Sequence, residues 1–127
     1  FDGSRLTLVR PEDARARKIT ALLGVPGGRL LAGTEKLGVL RYDGSQLERF
    51  HPSLDGTHVT ALAGDESDLW IGSIGGGALH WQGGRMERFT ESEGLPDRQV
   101  TSILVDGAAV FVGTPLGVAE IRAGNVT

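Results

Sequence analysis

A short pattern recurs three times in this sequence, 40 and then 41 residues apart, and no other feature narrows the possible folds as much. Lys18-Ile19-Thr20-Ala21-Leu22 aligns with His58-Val59-Thr60-Ala61-Leu62 and with Gln99-Val100-Thr101-Ser102-Ile103. A second set follows each of these: Leu30-Leu31-Ala32-Gly33-Thr34, Leu69-Trp70-Ile71-Gly72-Ser73 and Val110-Phe111-Val112-Gly113-Thr114. The third set is Gly38 to Tyr42, Gly77 to Trp81 and Gly117 to Ile121. The fourth is Ser4 to Val9, Gln46 to Phe50 and Arg85 to Phe89, each just after a glycine turn, and Asn125 onward opens one more copy.

Each unit therefore holds four short strands with a turn signal about every ten residues, and helical periodicity is absent. A four-stranded unit of this length predicts an all-β chain built of β-propeller blades. A solenoid of β-hairpins is the alternative on the same repeat logic. Twenty glycines in 127 residues, about twice the usual share, suit many tight turns. Asp2-Gly3, Asp43-Gly44 and Gln82-Gly83-Gly84 fit hairpin turns that need positive φ. The whole chain, 1–127, reads as one partial propeller, with units at about 1–41, 42–81 and 82–121 and a new strand starting in 122–127.

With strands labelled A to D from the axis outward, the chain enters in a D strand, passes through three A-B-C sets and ends entering another D. Propellers close with roughly 4–8 blades, so three do not make a ring. An open flank leaving on the order of 400 Å² of apolar surface wet would cost ~10 kcal/mol, the size of a domain's whole net stability. The expected partners are therefore the remaining blades of a longer protein, or copies of the chain joined head to tail, such as two chains giving six blades. The opening on Phe1 and the stop at Val126-Thr127 favour the longer protein.

Composition removes several functions. A net charge of −3 with 13 scattered basic residues lacks the basic face of a nucleic-acid binder. No apolar run approaches the ~20 residues that span a bilayer. The absence of cysteine removes disulfides, thiolate metal sites and a thiol nucleophile without assigning a compartment.

The second and third units carry a resemblance. His58-Val59-Thr60-Ala61-Leu62, Asp65, Leu69-Trp70-Ile71-Gly72-Ser73 and Gly75-Gly76-Gly77-Ala78-Leu79 resemble the two-component regulator propeller repeat, with its V-T-x-I, acidic turn, L-W-I-G-T and G-G-L pattern. Gly94-Leu95-Pro96 before Val100 is similar to that family's G-L-P entry into the inner strand. The first unit departs from the pattern, with Leu31-Ala32 in place of Trp-Ile and no G-L-P before Lys18. In the third, Phe111 replaces the Trp. The resemblance implies a fragment of a seven-bladed ring that serves as the periplasmic or extracytoplasmic sensor region of a bacterial signal transduction protein, with a small-molecule or carbohydrate ligand and no cofactor.

The residues themselves assign no catalytic, metal or cofactor group. His51, His58 and His80 lack metal spacing, and the acids of Asp65-Glu66-Ser67-Asp68 read as a solvated hairpin turn rather than a calcium loop. The hydroxyls Thr20, Thr60, Thr101 and Thr34, Ser73, Thr114 could ring the axis, but their recurrence in every unit favours a structural role. Trp70 and Phe111, and likewise Tyr42 and Trp81, read as packing between blades. The residues entering the inner strands, Arg17 and Lys18, Thr57 and His58, Arg98 and Gln99, form the candidate ligand rim, suited to an anionic or hydroxyl-rich molecule. A propeller enzyme resembling streptogramin B lyase and a protein-interaction scaffold are the alternatives.

Overall fold

Twelve strands lie within residues 18–127, the part of the chain that the computed structural model describes. They form three four-stranded antiparallel sheets, each made of consecutive strands. The first holds β1 (Ile19–Val25), β2 (Arg29–Thr34), β3 (Val39–Tyr42) and β4 (Leu47–Arg49). The second holds β5 (His58–Gly64), β6 (Asp68–Ile74), β7 (Ala78–Gln82) and β8 (Arg85–Phe89). The third holds β9 (Ser102–Asp106), β10 (Ala109–Thr114), β11 (Gly117–Arg122) and β12 (Asn125–Val126). Contacts between sheets gather on β1, β5 and β9 with the adjoining β2 and β6. The first strand of each sheet is thus innermost, and the sheets are three successive propeller blades. The fourth strand of each sheet pairs with the third before it, so sheets and sequence units are offset by one strand. The expected strand at Ser4 to Val9 and the turn at Asp2-Gly3 lie outside the described residues.

Burial follows blade position. In the middle blade Leu69, Trp70, Ile71, Gly72 and Ser73 are all buried, because both of its faces are covered. Val59, Leu69, Ile71 and Leu79 face the first blade, where Leu31 and Val39 complete one core. Trp70, Ala78 and Phe89 face the third blade and pack with Val100, Val110, Val112 and Ile121. Trp70 therefore fills an inter-blade space, while Phe111 stays half-buried on the outer face of the third blade. Trp81 packs edge-on against Phe50, with ring centres 5.8 Å apart.

The repeated glycine of strand B makes these joints possible. A Cβ on Gly33 would stand 2.4 Å from Cγ1 of Val59, and one on Gly72 would stand 2.8 Å from Cγ1 of Val100. The valine of each following blade thus seats in the gap left by the missing side chain. Backbone bonds lock the same seam: Gly38 N–H donates to the Thr57 carbonyl (3.2 Å) and Gly77 N–H to the Arg98 carbonyl (2.9 Å). The loops that carry the chain from one blade to the next plug the joints with one leucine each, Leu54 and Leu95, both buried. Leu95 is the middle residue of the Gly94-Leu95-Pro96 signature, which thereby acquires a packing role. It follows a capping box between Thr90 and Glu93, closed by Gly94 in the left-handed conformation (φ 111°).

Five of the six recurrent hydroxyls donate to backbone carbonyls, Thr101 to Gly113 at 3.1 Å, while Thr20 Oγ1 is buried with no hydrogen-bond partner among the described residues. Thr34, Ser73 and Thr114 each donate to the carbonyl that closes the B–C turn, Gly38, Gly77 and Gly117, at 2.8–2.9 Å. Thr60 sits at a register shift of β5 and donates across the joint to the Val100 carbonyl at 2.6 Å.

Gly33→Ala should therefore lower stability by about 1–3 kcal/mol through overpacking against Val59. Gly24→Ala, where an added Cβ meets nothing within 4 Å, should be neutral or slightly stabilising. Urea denaturation of the two variants checks the contrast.

Candidate functional site

The expected rim lies where the inner strands begin. Lys18 and Gln99 are exposed, His58 and Thr57 half-buried, and Arg17 lies outside the described residues. In the first two blades the inner strand opens opposite the residue that follows the strand B hydroxyl. The Lys18 carbonyl accepts from Glu35 N–H (3.2 Å), and His58 pairs with Ile74. Lys18 Nζ also reaches Glu35 Oε2 at 2.6 Å. That hydrogen bond, aided by the charges of Lys18, His58 and Lys36, holds the Glu35 carboxyl below its ordinary range against a smaller opposing desolvation. The same bond, with the Glu35 charge, raises Lys18. Lys18, Glu35 and His58 thus share one electrostatic cluster.

Elsewhere the rim is engaged. Arg98 Nε lies 3.0 Å from Glu91 Oε1, Gln99 N–H donates to Asp97 (3.0 Å), and the Thr57 and Arg98 carbonyls hold the blade seams. Lys18 and Arg98, two of the cations expected to meet an anion, already face carboxylates.

A concavity lies at the opposite ends of the strands. A cleft of about 640 Å³ opens between the second and third blades, lined by Asp65, Asp68, Trp70, His80, Gln82 and Glu87 on one side. Val105, Gly107, Ala108, Val110, Ile121, Ala123 and Gly124 line the other. Trp70 and His80 are directly paired on β6 and β7, and their rings stack with centres 4.1 Å apart at 7°. His80 Nε2 lies 2.5 Å from Asp68 Oδ1, and Gln82 Nε2 donates to Asp68 Oδ2 at 3.3 Å. A carboxylate that bonds one imidazole nitrogen sets the ring's orientation. A planar, oriented patch with donors and acceptors side by side results.

The hairpins at this end of the strands differ between the two joints. Residues 65–67 connect β5 to β6, and Glu66 reaches back from there to Arg29 Nε (3.1 Å) and Arg41 Nη1 (3.8 Å) of the first blade. Only residues 107 and 108 connect β9 to β10, and Gly107 offers no side chain to cross the second joint. The turn at Asp65-Glu66-Ser67-Asp68 is thus not simply solvated acid. Asp65 folds it by accepting from Ser67 N–H, Ser67 Oγ and Asp68 N–H, Glu66 bridges the blades, and Asp68 faces the cleft. Sequence inspection misses the Asp68–His80 pair because the two residues stand twelve apart and meet only through β6–β7 pairing. A polar residue at the His80 position, matched by Arg41 and Glu120 in the other units, is the available signal.

No protein-family profile and no curated protein matches the sequence. Solved structures match across nearly all of it. PorZ, a surface component of the type-IX secretion system of Porphyromonas gingivalis, superposes with a TM-score of 0.73 at 15% identity, covering 90% of this chain and 19% of that one. The extracellular domain of the putative one component system BT4673 from B. thetaiotaomicron gives 0.73 at 19% identity, covering 94% and 16%. A second structure of that extracellular domain, described as belonging to a putative hybrid two component system, gives 0.53 at 18%, covering 92% and 22%. The fold is a β-propeller segment. The chain spans about a fifth of the length of each of these structures.

Replacing Lys18 by Met should raise the Glu35 pKa, since the charged carboxylate loses its hydrogen bond and its nearest cation while the neutral acid loses little. Carboxyl titration by NMR reads the shift.

Proposed function

We propose that the chain is a ligand-binding part of a sensor propeller, the extracytoplasmic input region of a bacterial two-component signalling protein, and that it acts by binding rather than catalysis. The cleft between the second and third blades carries this reading. Its lining combines a carboxylate-oriented imidazole, an amide and the exposed carboxylate of Glu87, and among the described residues contains no Lys or Arg. Such a surface disfavours anions and suits a neutral, hydroxyl-rich molecule, whose hydroxyls both donate and accept. A carbohydrate has that chemistry. The likeness to an extracellular domain of a two component system and the repeat pattern of the second unit support the signalling context and the extracytoplasmic location.

The cleft is also mechanically placed for sensing. One wall belongs to the second blade and the other to the third, so a molecule touching both favours one setting of the joint. A sensor needs no more than that difference in affinity between two arrangements.

The test is a panel of neutral mono- and oligosaccharides, with binding followed by amide and Trp indole NMR shifts. Asp68→Asn and His80→Ala should each weaken binding by about tenfold or more, as loss of a hydrogen bond to a charged group does. Lys18→Ala and His58→Ala should leave it unchanged. The reverse pattern would move the ligand to the rim at the mouth. Absence of any sugar binding, or capture of a peptide in its place, would overturn the carbohydrate reading.

A further inference from the structure

The two walls of the cleft differ in kind. On the second blade, His80 pairs with Trp70 on one side and Glu87 on the other, and Gln82 pairs with Asp68. Imidazole, amide and carboxylates therefore stand on one face of that sheet. On the third blade Val105 pairs with Val110, Val110 with Ile121, and Ile121 with Val126, an aliphatic row from β9 to β12. Ala108 and Ala123 continue this wall toward the strand ends, beside Gly107 and Gly124. Among the described residues, no third-blade side chain lining the cleft carries a polar atom. The row is also small. Its equivalent at the first joint is Leu69, Trp81 and Met86, which pack in or against the core there. Val110, Ile121 and Val126 hold the same places with less volume, and Val105 remains 38% exposed.

A molecule held between such walls needs hydroxyls along one edge and none along the other. A hydroxyl turned to the third blade would leave water for side chains that neither donate nor accept, which is costly. A methyl group turned the same way buries apolar area and gains by it. Within the carbohydrate reading of the cleft, on which this inference rests, we propose that the ligand is a 6-deoxyhexose unit. Its C6 methyl lies against Val105 and Ala108, and its ring hydroxyls face Asp68, His80, Gln82 and Glu87. An N-acetylated sugar also carries a methyl, but its amide N–H and carbonyl stand directly beside that group. Against the aliphatic wall they would find no side-chain partner. In a 6-deoxy sugar the methyl is joined directly to a ring carbon.

Amide NMR titration with two sugar pairs tests this: L-fucose against L-galactose, and L-rhamnose against L-mannose. The members of each pair differ only in a hydroxyl on C6. In at least one pair the 6-deoxy sugar should bind about tenfold more tightly. Val105→Thr and Ala108→Ser each put a hydroxyl on the wall at an exposed position, so both variants should stay folded by circular dichroism. Either should narrow the ratio to about threefold or less. Asp68→Asn should instead weaken both members of the pair alike. Equal binding within both pairs, a preference for the C6 hydroxyl, or a ratio indifferent to both wall substitutions would overturn the inference and leave the carbohydrate reading standing. Tighter binding of N-acetylglucosamine than of either deoxy sugar would do the same. If neither pair binds while other neutral sugars do, the inference alone falls. If no sugar binds, both readings fall together.

Discussion

The seating of one side chain in the absence of another organises this structure. A propeller blade is a sheet with two apolar faces, and each must be covered by a neighbouring sheet at close range. Near the axis the blades converge, and a Cβ on strand B would collide with the next inner strand. Gly33 and Gly72 remove that Cβ, and Val59 and Val100 occupy the space. The backbone bonds Gly38–Thr57 and Gly77–Arg98 then fall at equivalent points of each seam, as do the leucine plugs Leu54 and Leu95. A period of about 40 residues is what this arrangement needs: four strands out from the axis, and one loop back to the next valine.

Because the apolar seams are nearly the same at both joints, differences collect at the strand ends. Residues 65–67 carry Glu66 across the first joint onto Arg29 and Arg41. The shorter 107–108 connection carries nothing across the second, so His80 turns to Asp68 within its own sheet and a cleft remains between the blades. The three-residue hairpin carries an ion-paired contact across its seam, whereas the two-residue hairpin borders the cleft. At the other end of the strands, the rim cations Lys18 and Arg98 meet Glu35 and Glu91, which leaves that face more nearly neutral than its basic residues imply.

Much of this was legible in the chain. The strands and their order followed from the repeat. The structural role of Thr34, Ser73 and Thr114 followed from their recurrence, and the inter-blade role of Trp70 from its place beside Ile71. The same repeat logic ran out at the cleft. Asp68 on β6 meets His80 and Gln82 on β7 only through strand pairing, and repeats draw the eye to what recurs, whereas the third unit departs from the second at the cleft.

The sequence by itself determined the all-β class, the four-strand unit, its turns and the number of units, because these depend on local periodicity and on glycine at positions of tight approach. Only the tertiary structure decided which faces meet, where Glu66 lands, and that Asp68 and His80 come together on a Trp70 platform. Those outcomes depend on side chains from different strands and sheets sharing one volume, and no pattern along a single strand encodes that.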